Sequence, residues 1–144
     1  MKRILVSACL LGVNCRYNGV VKADEAVLRL LNRSDLQLIP VCPEQLGGLP
    51  TPRVPSERRG NQVCTQAGVD VTEQYRRGAE ETCKLAQLFQ AEFAILKERS
   101  PSCGKGKIYD GTFSGTLIDG NGVTAELLME QGILVMGESE IGEF

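Results

Sequence analysis

Short apolar runs and amphipathic stretches alternate along this chain. Four runs rich in Val, Ile and Leu each predict a buried strand: 3–9 (RILVSAC), 36–42 (LQLIPVC), 93–97 (FAILK) and 133–136 (ILVM). Three longer stretches place apolar residues at helical spacing and predict helices: 23–33, 72–91 and 123–131. Strands and helices in this order are typical of a mostly parallel sheet flanked by helices. We therefore expect a single-domain, Rossmann-like α/β fold over residues 1–144.

Two segments between these elements are rich in chain-breaking residues. Residues 43–68 contain four prolines and four glycines, which favours a long shaped loop over regular structure. Such loops in compact domains are usually functional or disordered. Residues 106–123 hold five glycines between short apolar pieces and predict a small hairpin excursion. Thr72 is predicted to cap the helix that follows the first of these loops.

The charge pattern excludes several classes of partner. The chain has 16 Lys and Arg against 18 Asp and Glu, and no long run of either sign, so we expect neither nucleic-acid nor membrane binding. The apolar run after Met1 is too short for a signal peptide or a spanning helix, which predicts a cytoplasmic protein. Five arginines are interpreted as a solvated face: Arg53, Arg58, Arg59, Arg76 and Arg77.

The chain has six cysteines and no histidine. A cytoplasmic protein rarely keeps structural disulfides, so metal binding or thiol chemistry is the expected use of these cysteines. The absence of histidine excludes Ser-His-Asp and Cys-His catalytic sites and the common zinc sites that contain histidine.

Three of the cysteines lie at predicted strand ends. Cys9 ends the first strand, Cys42 ends the second, and Cys103 follows the third. Ligands of an open parallel sheet gather outside the carboxyl ends of its strands, so these cysteines are expected to converge there. Cys15 lies in the first loop and is a candidate fourth member. The alternative is that a cysteine is a small buried hydrophobe, which is the interpretation favoured for Cys64 and Cys83.

The expected metal follows from the donor atoms. Three thiolates without imidazole form a soft site that suits an iron–sulfur cluster or zinc, and disfavours magnesium or calcium. The local spacings match neither a Cys-x-x-Cys zinc knuckle nor a ferredoxin run, so spacing leaves both metals open. A four-iron cluster held by only three thiolates would keep one iron open, which a catalytic metal requires.

Nine short blocks occur in order along the chain: SACLLG at 7–12, CRYNG at 15–19, PVCPE at 40–44, GGLP at 47–50, GVDVT at 68–72, LK at 96–97, SPSCG at 100–104, IYDG at 108–111 and GNGV at 120–123. Through these blocks the sequence resembles, nearly end to end, the domain-of-unknown-function family DUF523, whose characterised members are thiouracil desulfidases (TudS). Such an ordered set is far more specific than any one short motif.

The resemblance implies a [4Fe-4S] cluster held by three cysteines, with one open iron that receives the sulfur removed from a thiolated nucleobase. Carried onto this chain, the ligands are Cys9, Cys42 and Cys103, and the acid/base and positioning residues are Glu44 and Ser100. Cys15 exceeds the three-ligand count and is expected to line the substrate site. Water would replace the sulfur, hydrosulfide would leave, and no net electron transfer is required.

Further residues have alternatives that the sequence leaves open. Glu44 would otherwise be a surface or loop-capping carboxylate. Ser102, like Ser100, flanks Pro101 and is a candidate to hydrogen-bond substrate, although Ser and Pro also favour turns for backbone reasons. Tyr17 and Tyr109 are candidates to stack on a pyrimidine, or to pack at the loop edge.

Three functions are compatible with these features. The first is an enzyme that removes sulfur from a small thiolated base. The second is a non-catalytic iron–sulfur binding or sensing module, and the third is a structural zinc protein. An open iron beside a pocket that contains Glu44 separates the first from the second, and visible absorbance separates both from zinc.

Overall fold

A four-stranded parallel sheet lies at the centre of the structure, a computed structural model that describes residues 1–142. These residues form eight strands: β1 (Lys2–Ser7), β2 (Leu36–Val41), β3 (Ser56–Arg59), β4 (Gln62–Thr65), β5 (Phe93–Leu96), β6 (Lys107–Tyr109), β7 (Leu117–Asp119) and β8 (Leu134–Gly137). The central sheet has the order β2-β1-β5-β8, with all neighbours parallel. The predicted mostly parallel sheet is therefore confirmed.

Four α-helices accompany the strands in the part of the chain that the structure describes: α1 (Glu25–Arg29), α2 (Pro43–Leu46), α3 (Thr72–Leu88) and α4 (Val123–Glu130). Three of them, α1, α3 and α4, lie within the stretches predicted to be helical. The Asp24 side chain begins α1 by accepting a hydrogen bond from the backbone N–H of Val27 at 3.1 Å. Within residues 1–142, no helix is long and apolar enough to cross a membrane.

Both faces of the sheet are buried. Leu5, Ala94 and Leu96 belong to the hydrophobic cluster that includes residues of α3 and α4, while Ile4 and Ile95 belong to a second cluster with residues of α1. Successive strand residues alternate between the two faces, which is why the strands read as continuous apolar runs. Cys83 of α3 is buried in the first cluster, so its interpretation as a small hydrophobe is confirmed.

The segment 43–68 is more regular than its composition indicates, because it contains α2 and the antiparallel hairpin β3–β4. Pro43 occupies the start of α2, where a missing N–H breaks no helical bond. Gly60 adopts a positive φ of 61° in the turn between the two strands. The expectation of an irregular loop was wrong here, since four-residue elements are too short to show periodicity. Cys64 accordingly lies in β4.

Thr72 does not cap α3 as predicted. The cap position is Val71, and the Thr72 hydroxyl instead accepts a hydrogen bond from the backbone N–H of Val63 at 2.9 Å. This bond joins the β3–β4 hairpin to the start of α3. The other predicted excursion, residues 106–123, does contain a hairpin, formed by β6 and β7.

Two glycines allow α2 to pack directly against α3. A Cβ atom on Gly47 would lie 1.9 Å from the carbonyl oxygen of Gln74, and one on Gly78 would lie 1.9 Å from that of Pro43. No side chain fits at either position, so the two backbones meet. This contact fixes the short helix that begins immediately after β2 and carries Glu44.

Candidate active site

A cavity of about 610 Å³ lies at the carboxyl ends of β1, β2 and β5. Its wall includes residues that lie just beyond the ends of these strands: Cys9 after β1, Cys42 after β2 and Lys97 after β5. The volume is within the range of about 300–1,000 Å³ that is usual for small-molecule pockets. The cavity therefore lies at the sheet edge where the sequence predicts ligand binding.

Four cysteines line this cavity: Cys9, Cys15, Cys42 and Cys103. Cys9 is held in a 3-10 helix, Ala8–Leu11, and Cys42 occupies the N-cap of α2. Cys103 follows β5 in a loop that is closed by a backbone hydrogen bond of 2.9 Å from Gly104 N–H to the Ser100 carbonyl. The convergence expected from strand-end spacing is thus found in the structure. All six cysteines are free thiols.

The Cys15 thiol interacts with its two neighbours and changes their acidity. Its hydrogen bond lowers the pKa of Cys42 to about 7 against the opposing effect of burial, and the backbone N–H of Gln45 helps. A hydrogen bond from Cys15 also lowers the pKa of Cys9, with a contribution from the positive charge of Arg16. The pKa of Cys15 is raised in turn, because it donates to both. Cys9 and Cys42 are therefore prepared to be thiolates, the form that binds metals.

Cys103 differs from these two thiols. Its complete burial raises its pKa, although a hydrogen bond with Ser7 opposes this effect. A cation bound at the thiol would reverse that preference, because metal coordination deprotonates a cysteine. The pocket thus contains two thiols that ionise readily and one that needs a cationic ligand to do so.

The arrangement of donors bears on what they can hold. Within residues 1–142, no three Cys, Asp or Glu side chains are close enough to bind a single metal ion together. The four cysteines instead line a cavity of about 610 Å³. An iron–sulfur cluster takes each thiolate on a different iron, so its ligands are spread more widely than those of one ion, and its donors are thiolates without imidazole. The cysteines that line this cavity therefore suit an iron–sulfur cluster. Ligation by Cys9, Cys42 and Cys103 stays a prediction.

Glu44 lies in the first turn of α2 and faces the same cavity. Its Oε2 accepts a hydrogen bond from Nε of Arg53 at 2.7 Å, and Nη2 of Arg53 also contacts this oxygen. The two side chains are only 12% and 8% exposed. Glu44 is therefore not a surface carboxylate, which was the alternative interpretation.

Arg53 corrects a second expectation. It is not part of a solvated face, because it is buried between Glu44, the carbonyl of Cys15 at 2.9 Å and the carbonyl of Pro50 at 3.0 Å. Arg58 is buried as well, in an ion pair with Glu126. Arg76, in contrast, is exposed as predicted. Sequence patterns do not distinguish these arginines, since their partners lie in other segments of the chain.

Tyr75 of α3 is a cavity residue that the sequence analysis did not identify. It is 2% exposed, and burial together with the charge of Glu44 raises its pKa. Tyr75, Ala79 and Cys83 follow one another at four-residue spacing along α3, so Tyr75 reads as an ordinary core position. The packing of α2 on α3 brings Tyr75 near Glu44 in the cavity wall, and the sequence pattern does not show this contact.

Ser100 and Ser102 occupy different environments. Ser100 lines the cavity, and its hydroxyl accepts hydrogen bonds from the backbone N–H groups of Ser102 at 3.1 Å and Cys103 at 3.0 Å. The hydroxyl proton takes no part in these two bonds, so Ser100 can donate it to a group in the cavity. Ser100 therefore orients the Cys103 backbone and also faces the site.

Ser102 is turned away from the cavity, so the structure does not support the predicted contact with substrate. It is 1% exposed, and its hydroxyl lies 2.8 Å from that of Thr124. Its carbonyl accepts hydrogen bonds from the N–H groups of Thr124 and Ala125 at the start of α4. Ser102 thus joins the cysteine loop to a helix, in agreement with the alternative of ordinary turn chemistry.

The aromatic candidates, Tyr17 and Tyr109, both line the cavity. Tyr109 comes from β6 and Tyr17 from the loop after β1, and Tyr17 is 48% exposed. Phe113, in the loop between β6 and β7, lies on the same wall. The hairpin excursion predicted from the glycine pattern therefore contributes to the site.

Comparison with known proteins agrees with this picture. The family model for 2-thiouracil desulfurase matches residues 4–140. A Bacillus subtilis (strain 168) protein, the uncharacterized protein YbbK, is 45% identical over 150 residues, which cover 97% of this chain and 98% of that protein. A solved structure, the [4Fe-4S]-dependent thiouracil desulfidase TudS (DUF523Vcz), has a TM-score of 0.87 and 44% identity, covering 99% of this chain and 95% of its own. The resemblance inferred from the sequence blocks is confirmed, and the chain belongs to the 2-thiouracil desulfurase family.

Proposed function

We propose that this protein removes sulfur from a thiolated nucleobase such as 2-thiouracil, with water replacing the sulfur and hydrosulfide as the second product. The observation that carries the proposal is one cavity, lined by Cys9, Cys42 and Cys103, that also contains the buried carboxylate of Glu44. Family membership and the related thiouracil desulfidase TudS support the same reaction. A small thiolated base is therefore the proposed ligand.

A [4Fe-4S] cluster is the proposed cofactor, with Cys9, Cys42 and Cys103 as its three ligands. These cysteines come from three different segments, which follow β1, β2 and β5, and the pKa values of Cys9 and Cys42 are lowered. When bound with one iron open, the cluster supplies a Lewis acid for the soft thiocarbonyl sulfur. All six thiols are free, which is compatible with the reducing, cytoplasmic location that we propose.

Glu44 is the proposed general base. Both contacts from Arg53 go to Oε2, so Oε1 lies outside the ion pair and can accept a proton from an attacking water. Because Arg53 is itself fixed by two backbone carbonyls, the carboxylate has little freedom to rotate away. A base held in one orientation near the reacting carbon is what proton transfer requires.

Ser100, Tyr109 and Cys15 are the proposed substrate-contacting residues. The Ser100 hydroxyl can donate to a ring heteroatom or to the charge that develops there. Tyr109 lines the same cavity as Cys15 and supplies an aromatic ring on which a pyrimidine could stack. Cys15 contributes to the wall, and its free thiol hydrogen-bonds to the thiols of Cys9 and Cys42.

The proposal is tested by reconstituting the protein with iron and sulfide without oxygen, then measuring hydrosulfide release from 2-thiouracil. Release that requires the reconstituted cluster supports a desulfidase. A stable cluster without release would contradict the enzyme and favour the iron–sulfur binding or sensing module. Protein that binds zinc and shows no visible absorbance would contradict both.

A further inference from the structure

Arg16 has a buried donor without a partner beside the cysteines. The residue follows Cys15 in the loop after the 3-10 helix Ala8–Leu11 and lines the main cavity. One end of its guanidinium is anchored, because Nη2 donates to the carbonyl of Lys22 at 2.9 Å. Its Nε is buried, and no residue between 1 and 142 accepts a hydrogen bond from it. A charged donor left unpaired in a folded protein is costly, so an acceptor is expected in the working molecule.

Nearby carboxylates do not fill this role. Arg16 also lines a smaller cavity of about 190 Å³ that includes Asp24 and Glu138. Asp24 accepts from the first turn of α1, and Glu138 accepts from Lys97 Nζ at 2.7 Å and from the backbone N–H of Glu98 at 2.7 Å. Both acids therefore serve other donors, although each faces the smaller cavity. Neither acid accepts from Arg16 Nε, and the other cavity that Arg16 lines is the one that contains the cysteines.

The cysteine side offers an anionic sulfur acceptor. Arg16 lies close enough to Cys9 for its positive charge to act on that thiol, and its chain neighbour Cys15 contacts both Cys9 and Cys42. Lys97 also lies near Cys9, but its ammonium group is paired with Glu138. Arg16 is therefore a cation on this wall whose buried Nε–H has no acceptor among the described residues.

We propose that the Nε–H of Arg16 donates a hydrogen bond to a sulfur atom of the cluster that Cys9, Cys42 and Cys103 hold. This hydrogen bond stabilises the negative charge of the cluster. This inference rests on the proposed function. Hydrogen bonds and positive charge at the sulfurs favour the more negative, reduced form of an iron–sulfur cluster and so raise its reduction potential. Arg16 is a positioning residue in this account and does not contact the substrate.

The test compares Arg16→Gln and Arg16→Lys with wild type after anaerobic reconstitution. Arg76→Gln is the matched control, because Arg76 is exposed and paired with Glu73 on the surface of α3. The reduction potential is followed by electron paramagnetic resonance during reductive titration, and iron content and thermal unfolding of the metal-free protein are measured alongside. We expect R16Q to shift to a lower potential and R76Q to match wild type. R16K keeps the charge without the planar Nε–H, so its potential should fall between those of R16Q and wild type.

The other outcomes are also decisive. R16Q that loses iron while its metal-free melting temperature stays at the wild-type value would support the proposal, because the loss is then confined to the loaded state. R16Q with the wild-type potential would overturn it. A large drop in the melting temperature of metal-free R16Q would overturn it as well. Such a drop would show that Arg16 stabilises its loop through the hydrogen bond to the Lys22 carbonyl. Wild type that binds no cluster would instead overturn the proposed function, and with it this inference.

Discussion

Arg53 binds Glu44 in the wall of the cavity, with Arg53 Nε 2.7 Å from Glu44 Oε2. The same guanidinium donates to the carbonyl of Cys15 at 2.9 Å. The guanidinium of Arg53 therefore holds both Glu44, the proposed base, and the loop that carries Cys15. The Cys15 thiol is the one that hydrogen-bonds to Cys9 and Cys42. This relationship connects the stability of the fold to the geometry of the site.

Replacing Arg53 should destabilise the protein strongly. Arg53→Gln leaves the Glu44 carboxylate without its counter-charge in a site that is only 12% exposed, and should lower the free energy of unfolding by about 3–5 kcal/mol. Urea unfolding measures this change. Arg33→Gln is the control, because Arg33 pairs with Asp35 on the surface and should change stability far less than Arg53→Gln does. Equal effects of the two substitutions would contradict the buried pair.

Ser100 and Ser102 should respond oppositely to substitution by alanine. Ser102→Ala leaves the buried Thr124 hydroxyl without a partner and should cost about 1–3 kcal/mol of stability, with kcat close to wild type. Ser100→Ala removes the hydroxyl that faces the cavity and should lower kcat about 100-fold, the usual size for one lost donor to developing charge. Steady-state kinetics and urea unfolding distinguish the two. A larger kcat loss in the Ser102 variant would show that the wrong serine is assigned.

The thiols of the metal-free protein should differ in their pH dependence. Thiolate forms as pH rises through the pKa, so alkylation of Cys42 by iodoacetamide should accelerate with a midpoint near pH 7. Cys83, whose pKa is raised to about 11 mainly by burial, serves as the internal control and should react only at much higher pH. Mass spectrometry of modified peptides measures both rates. In Cys15→Ala the Cys42 midpoint should move upward, because the hydrogen bond that favours its thiolate is gone. An unmoved midpoint would contradict that cause.

The proposed ligand set predicts which cysteines the cluster requires. Serine in place of Cys9, Cys42 or Cys103 should reduce the iron bound after reconstitution to a small fraction of the wild-type amount. Cys83→Ser should keep the full amount of iron, because this thiol lies in the core on α3. Cys15→Ser should also keep it, because Cys15 hydrogen-bonds to two of the proposed ligands and is not itself a ligand. Iron and sulfide analysis measures each variant. A Cys42 variant with a full cluster would show that the ligand set is wrong.

The central architecture was predictable because its signals are local. Continuous apolar runs mark β1, β2, β5 and β8. Cys9 and Cys42 lie two residues and one residue after a strand end, and Cys103 follows β5 by seven residues, so sheet topology brings these segments to one edge. The helices carry a 3.6-residue pattern that the short runs lack. The β6–β7 hairpin was predictable from its glycines for a similar reason.

Contacts between distant segments were not predictable. Arg53 and Arg76 look alike in sequence, and only the placement of Glu44 by α2 separates the buried arginine from the exposed one. The direction of Ser102 depends on its bond with Thr124, 22 residues away. The α2 helix itself was hidden, because four residues beginning at Pro43 give no periodic signal. Its position comes from the glycine contact with α3.

The most direct test of the central claim is the conversion of 2-thiouracil to uracil in water labelled with ¹⁸O, by wild type and Glu44→Gln reconstituted side by side. Wild type is expected to form uracil containing one labelled oxygen and to release an equal amount of hydrosulfide. Glu44→Gln should bind the same amount of iron and be slower by about 100-fold to 10,000-fold, the range expected for a lost general base. No conversion by wild type with a full cluster, or equal conversion by Glu44→Gln, would contradict the account.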